Sequence, residues 1–459
     1  MGVITRIWSL LGPGILLAAT SIGASHLVLS PRAGMLYGPT LLWLVLAAHV
    51  LKYPAFEFGP RYALATGDSL LAGYARVPGP RRWALVVFAV FTALQGVGVA
   101  VAVTSITAAV LVISVGHLSL AVWGTVVVTV SLLLLVAGRF SAMEVINKLM
   151  MAALAVVTVV TFLARPAPAS AWTHLVLPTL PEGAIVLAAA MVGWLPTGID
   201  VSVWHSLWAL KVQARWEPTR AGETADDAPP GDRPPTDNNA LALARLRGGL
   251  LDMRAGYALS LVLAVCFLVL GMYVSGVLGG GMVAMWKGQQ LPHAAAASPD
   301  GANVAVAISQ AYGTVLGRWI IPMFLVTAFF GMFSTTYVVM DGFPRALAET
   351  LRLLSPSRRN DVTFWSAPYW ALLGVVWLSV VLILWLWPKP VALITAAALL
   401  SLVVSPLYYA LNYYCVTRHV KDPALAPGRG LRVLALGGIL FVLGASAICV
   451  YFMIARLVR

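Results

Sequence analysis

Charge is what this chain has least of. Lysine, arginine, aspartate and glutamate make up 10% of its 459 residues, where a soluble domain carries about 25%. Hydrophobic residues make up 60%, and the mean hydropathy is +0.88. So few charges cannot cover the surface of a water-soluble fold. Soluble, coiled-coil and disordered classes are excluded, and an all-α integral membrane protein is predicted. The apolar runs are long and do not alternate, which argues against a transmembrane β-barrel. Cysteine is scarce too. Cys266, Cys415 and Cys449 lie far apart inside apolar runs with no CxxC spacing, so they are read as small buried hydrophobes and not as a disulfide framework. There is no P-loop, G-x-S-x-G, HExxH or strand-led GxGxxG motif. An ATP-driven pump and a membrane hydrolase are therefore disfavoured, and neither an enzyme nor a cofactor is expected.

What is present is a series of apolar runs. A bilayer core of about 30 Å needs about 20 apolar residues per helix. Eleven spans are read, at about 12–30, 37–57, 84–113, 118–138, 143–165, 183–210, 250–282, 303–341, 364–387, 390–416 and 431–455. With the N-terminus inside, 23 of the 30 lysines and arginines fall at cytoplasmic ends and loops, Lys52, Arg61 and Arg345 among them, and seven fall outside. This asymmetry supports a cytoplasmic N-terminus and an outside C-terminus. It also explains the formal charge of +13 without any nucleic-acid partner. The first apolar stretch is followed by no small-residue cleavage site and is read as a span, not a leader. The stretch 212–245 is polar, proline-rich and aperiodic, and is expected to be a flexible cytoplasmic loop. A shorter outside loop is expected over 283–302.

Two spans carry interruptions. The first runs through Gly12-Pro13-Gly14 to Thr20-Ser21-Ile22-Gly23-Ala24-Ser25-His26. The sixth reads Gly193-Trp194-Leu195-Pro196-Thr197-Gly198-Ile199-Asp200. Such runs free backbone N–H and C=O groups, which is tolerable at membrane depth only where the backbone lines a cavity. Interrupted helices at matching places in two halves point to a transporter site at the midplane. Spans one and six are first in each half if spans 1–5 and 6–10 are inverted repeats.

Most acids are expected in loops or at span ends, Glu57, Asp68, Glu144, Asp252, Asp341 and Glu349 among them. Asp200 is the exception, deep in an apolar run just after the sixth-span break. A carboxylate there costs at least about 2.5–3.5 kcal/mol on insertion scales. It is read as a proton-titrating or cation-binding group that can also cap the second half-helix. His26 ends the first break and is a candidate ligand or proton relay. His205, five residues beyond Asp200 and off its helix face, is placed on an inner water path. Gln95 is read as a helix-to-helix hydrogen-bonding amide. The tyrosines 408, 409, 413 and 414 are read as packing and interface anchors.

At this point the residues resemble the NRAMP family of proton-coupled divalent-metal transporters. Gly12-Pro13-Gly14, Ala33-Gly34, Tyr37-Gly38 and Leu41-Leu42-Trp43 look like its first two spans. Arg61 with Thr66-Gly67-Asp68 is similar to its second-span end, His205-Ser206 to the end of its sixth-span motif, and Val338-Val339-Met340-Asp341-Gly342-Phe343 to its eighth span. The resemblance runs from about 12 to 455. It implies a LeuT-type fold, a 5+5 inverted repeat plus one helix, with eleven transmembrane helices and spans 1 and 6 broken. One domain over 1–455 is expected, with repeat one at about 12–165, repeat two at about 183–416 and the extra helix at about 431–455.

The departures are chemical. The family's first-span D-P-G-N falls on Gly23, Ala24, Ser25 and His26, and its sixth-span M-P-H on Gly198, Ile199 and Asp200. A hard carboxylate and a soft thioether are both lost, and the thioether is what favours soft transition metals. The two glycines are expected to widen the site, and the acidic pair of span three is replaced by Gln95 alone. The resemblance and the residues together give a substrate site at Gly23, Ser25, His26, Leu195, Thr197, Gly198 and Asp200. Metal ligands are expected at Asp200 and His26, and proton coupling at Asp200, His26 and His205. A roomy site with few ligands suits Mg²⁺, which keeps several waters. The expected function is a secondary transporter of a divalent cation, Mg²⁺ or Mn²⁺ with altered selectivity. The alternatives are a transporter of a small organic solute in an emptied metal site, and a non-transporting sensor or scaffold. A monomer in the bacterial inner membrane is expected.

Overall fold

The computed structural model describes residues 21–138, 140–181, 183–216, 239–277, 309, 312–313, 316–355 and 362–457. Among them helix dominates and no strand occurs. This follows from the solvent. In hydrocarbon every backbone group must find its partner within its own segment, and a helix does this residue by residue.

After the first break a π-turn, Ser25–Leu29, leads into α1 (Ser30–Tyr37). A 3₁₀ turn connects it to α2 (Leu42–Thr66), and a short α3 (Leu70–Ala75) follows. Next come α4 (Trp83–Ser114), α5 (Leu120–Val136) and α6 (Phe140–Ala164). The sixth span is two pieces, α7 (Ile185–Trp194) and α8 (Val201–Trp216). The rest are α9 (Asn239–Val277), α10 (Ile320–Leu354), α11 (Val362–Leu386), α12 (Pro390–His419) and α13 (Arg429–Leu457). Helix makes up most of each expected span where it is described, apart from the two breaks and short turns. Among the described residues seven helical stretches are long and apolar enough to cross a membrane, and three more are shorter and apolar. Large apolar side chains such as Leu133, Val160, Leu382 and Leu440 stand outward, which suits lipid and would be a liability in water.

Several expected boundaries are corrected. The first span's helix runs to Tyr37, not 30, and α2 ends at Thr66, nine residues beyond 57. Within the expected eighth span, helical residues at 309, 312–313 and 316 precede a turn at Gly317 (φ +93°), and the long helix α10 starts at Ile320. The expected loop 212–245 is helical up to Trp216 and again from Asn239. Its middle, like the loop 283–302 and the first half of span one, lies outside the described residues. Glu57, Asp252 and Asp341 are buried inside helices and not in loops. The helices outrun the apolar core, and arginines meet two of these acids there. Glu57 pairs with Arg61 at 2.5 Å and Arg254 at 3.1 Å, and Asp341 pairs with Arg345 at 2.5 Å. Each pair gives a buried carboxylate the partner that makes its desolvation bearable.

The core is organised about the broken spans. α8 packs on α2, α7 on α12, α10 on α4, and α9 on both α1 and α2. Asn412 of α12 ties three elements together, donating to Ser202 Oγ at 2.6 Å and Ala55 O at 3.3 Å and accepting from Tyr74 Oη at 2.5 Å. Small residues set the closest approaches, as is usual between membrane helices. A Cβ on Gly34 would lie 1.9 Å from Leu268 O, and one on Gly271 would lie 2.1 Å from Pro31 O. α1 and α9 therefore touch backbone to backbone at two levels. Gly271→Ala is expected to cost about 1–3 kcal/mol through overpacking, read as a lower melting temperature in detergent. Gly248→Ala on the same helix, where a Cβ meets nothing within 4 Å, should be neutral or slightly stabilising.

Candidate functional site

The sixth-span break decides the site. α7 ends at Trp194, and Leu195 turns extended (φ −93°, ψ 125°). Pro196 follows with no N–H to offer. Regular bonding resumes where Val201 N, Ser202 N and Val203 N donate to Gly198 O, Ile199 O and Asp200 O at 3.2, 3.0 and 2.9 Å. The carbonyls left over at the end of α7 are taken by Lys52. Its Nζ lies within hydrogen-bond distance of Val192 O, Gly193 O, Leu195 O and Thr197 O, at 2.8, 3.2, 2.8 and 2.9 Å. Lys52 was expected among the cytoplasmic end charges. It is instead wholly buried in the middle of α2, since the lengthened helix moves it from the end to the interior.

Asp200 is 2% exposed, and its Oδ1 accepts from Gln95 Nε2 at 3.0 Å. That amide also donates to Ser401 Oγ at 2.7 Å, which accepts from Trp194 Nε1 at 3.0 Å. Gln95 Oε1 is buried with no partner. Beside these groups is a small cavity of about 30 Å³. Its polar lining is Ser25, Gln95, Thr197, Asp200 and Thr335, and its apolar wall includes Trp194, Trp204 and Phe343. A carboxylate on one small cavity, with an unsatisfied amide oxygen buried in the residue beside it, favours a cationic occupant or a hydrogen-bond donor. Lys52 and Asp200 are near enough to interact as opposite charges.

Four of the expected residues, Ser25, Thr197, Gly198 and Asp200, line this cavity. The other expected positions lie elsewhere. Leu195 directs its carbonyl to Lys52. His26 turns away, its Nε2 2.8 Å from Ser260 O and 3.0 Å from Ser260 Oγ. Its Nδ1 is 2.8 Å from Ser25 Oγ, and His49 Nε2 lies 3.3 Å from Ser260 Oγ on the far side. A polar file, Ser25–His26–Ser260–His49, thus leads from the cavity edge into the contact of α1, α2 and α9. Ser25 Oγ also reaches Pro196 O at 3.3 Å and ties the two breaks together. His205 is buried beyond the cavity, and its Nδ1 has no partner.

The expectation that two glycines widen the site is corrected. A Cβ on Gly23 would lie 2.6 Å from Thr335 Oγ1, and one on Gly198 would lie 2.4 Å from Asp200 Oδ1. The room that larger residues would take is filled by a threonine of α10 and by Asp200 itself. Among the described residues no three His, Cys, Asp or Glu side chains gather as a metal cluster. Lys52 and Thr335 are the site residues that the sequence reading missed. A lysine three residues after His49 in an otherwise apolar run was a signal for the first, but a threonine in an apolar helix gives none. Supplying Gly23→Asp with Gly198→Met is therefore expected to create no Mn²⁺ binding by calorimetry. The pair should lower stability by about 1–3 kcal/mol, because the new side chains collide with Thr335 and displace Asp200 from Gln95.

Comparison with known proteins bears on the family and the fold. Residues 14–205 match the family model described as natural resistance-associated macrophage protein-like, or Nramp. An uncharacterized protein of Pasteurella multocida is 28% identical over 368 residues, covering 77% of this chain and 73% of that one. The divalent metal cation transporter MntH of Chromohalobacter salexigens is 32% identical over 201 residues, covering 41% of this chain and 44% of the other. Among solved structures, the Eremococcus coleocola manganese transporter aligns with TM-score 0.60 at 14% identity, over 98% of this chain and 87% of that one. Mhp1, a nucleobase-cation-symport-1 family transporter, aligns in a closed, bromovinylhydantoin-bound form. Its TM-score is 0.56 at 13% identity, over 96% of this chain and 93% of the other. These likenesses show the fold, an all-α LeuT-type architecture.

Proposed function

We propose that this chain, a multi-pass membrane protein homologous to the Nramp family, is a secondary transporter that moves a divalent cation by alternating access about its two broken spans. The observation that carries the reading is Asp200, a buried carboxylate on the sixth-span break that faces a cavity shared with the first break. With one carboxylate and no metal cluster among the described residues, the ion keeps much of its water. That suits Mg²⁺, which dehydrates reluctantly and is commonly bound through one or two carboxylates, and Mn²⁺ is the second candidate. Gln95 Oε1, Ser25 Oγ and Thr197 supply polar atoms for the retained waters.

Asp200 is also the proposed proton-coupling group, with His26 and His205 as relays. The architecture is read as inverted repeats at about 12–165 and 183–416 with an extra helix at about 431–455. The monomer is set in a bacterial inner membrane with its N-terminus cytoplasmic and its C-terminus outside, and the loop near 212–245 is cytoplasmic. One observation favours a second reading. The wall of Trp194, Trp204 and Phe343 would also suit a small organic solute.

Calorimetric and fluorescence titration of the purified protein with Mg²⁺ and Mn²⁺ decides between them. Saturable binding of one ion, weakened at least about tenfold in Asp200→Asn, is expected. That is the loss of a charge-assisted contact worth about 1.4 kcal/mol or more. Absence of binding by both ions sinks the cation reading and leaves the organic solute.

A further inference from the structure

A cation at the Asp200 cavity leaves the opposite side of the sixth-span break unused, and there the chain already holds a positive charge. Lys52 rises from the middle of α2 with its side chain wholly buried. Four carbonyl oxygens, of Val192, Gly193, Leu195 and Thr197, surround its Nζ at 2.8–3.2 Å. An ammonium has three N–H bonds, so acceptors outnumber donors. The group is held as a cation by converging dipoles and not only as a donor by directed bonds. The C-terminal end of α7 adds its own partial negative charge. Backbone carbonyls arranged in this way replace the hydration shell of a bare ion. Their distances from the centre exceed the about 2.0–2.1 Å of Mg²⁺ and the about 2.3–2.6 Å of Ca²⁺. The cradle therefore has the size of a large monovalent cation.

We propose that the carbonyls of Val192, Gly193, Leu195 and Thr197 form a monovalent-cation site, of the potassium and ammonium size class, whose resident ion is the tethered ammonium of Lys52. The break keeps its shape with no free ion bound on that side. Removing the lysine side chain exposes the site to solvent ions. This assignment does not depend on which solute the Asp200 cavity carries.

The test compares melting of the purified full chain and of Lys52→Ala and Lys52→Met, each in potassium, ammonium and N-methylglucamine chloride. Wild type should melt at one temperature in all three. Lys52→Ala should melt about 5 °C lower in N-methylglucamine. It should recover about half of that loss in potassium or ammonium, with a saturating concentration dependence. Lys52→Met keeps an unbranched stem that fills the room without the charge, so it should be destabilised equally in every salt. A Lys52→Ala protein that melts alike in all three cations overturns the proposal. So does a Lys52→Met protein that melts with wild type, and this second result decides the matter if Lys52→Ala does not fold.

Discussion

A helix interrupted at membrane depth leaves carbonyls that lipid cannot satisfy, and here one ammonium takes up four of them. An unpartnered buried amide group costs several kcal/mol. Without Lys52 the end of α7 would have to re-form helix through Pro196, admit water or collapse. With it, the six residues from Leu195 to Asp200 stay outside the helix, and α2 is anchored to α7. The rest of the site follows from that path. It presents Gly198 and Asp200 to the cavity and brings Pro196 O within 3.3 Å of Ser25 on the other broken span.

The lysine also changes the electrostatics of the centre. A lone carboxylate in an apolar surround would attract any cation strongly and release it slowly. Asp200 instead shares its neighbourhood with an opposite charge and with the amide of Gln95. On the proposed function, partial compensation of this kind would let Asp200 attract a cation without making the site a trap, as transport requires. The filled positions beside Gly23 and Gly198 act in the same direction, because they leave few side-chain ligands to replace an ion's water.

Much of this was legible in the sequence, because the bilayer imposes simple rules. Long apolar runs gave the helices, and Pro and Gly inside two of them gave the breaks. A carboxylate inside one run singled out Asp200. The boundaries were harder to read. α2 outlasts its apolar stretch by continuing through Glu57 and Arg61, which neutralise each other one turn apart. Hydropathy saw that pair as the end of the span and assigned Lys52 to a terminus. His26 was legible as a buried polar group, but its rotation toward Ser260 and His49 is set by packing between α1 and α9, which spacing along one helix does not encode. Thr335 shows the limit most plainly, since its role is to stand against a glycine some three hundred residues away.

The glycine contacts between α1 and α9 bear on how the molecule can move. Two helices separated by a layer of side chains can slide as rotamers exchange. Backbones that meet at Gly34 and Gly271 have no such layer to shear. Were the chain to pivot at the first break, where Ile22 and Gly23 are not helical, α1 and α9 would swing together as one stiff lever. In such a swing Ser260, carried on α9, would move with His26, and the contacts between them would be kept.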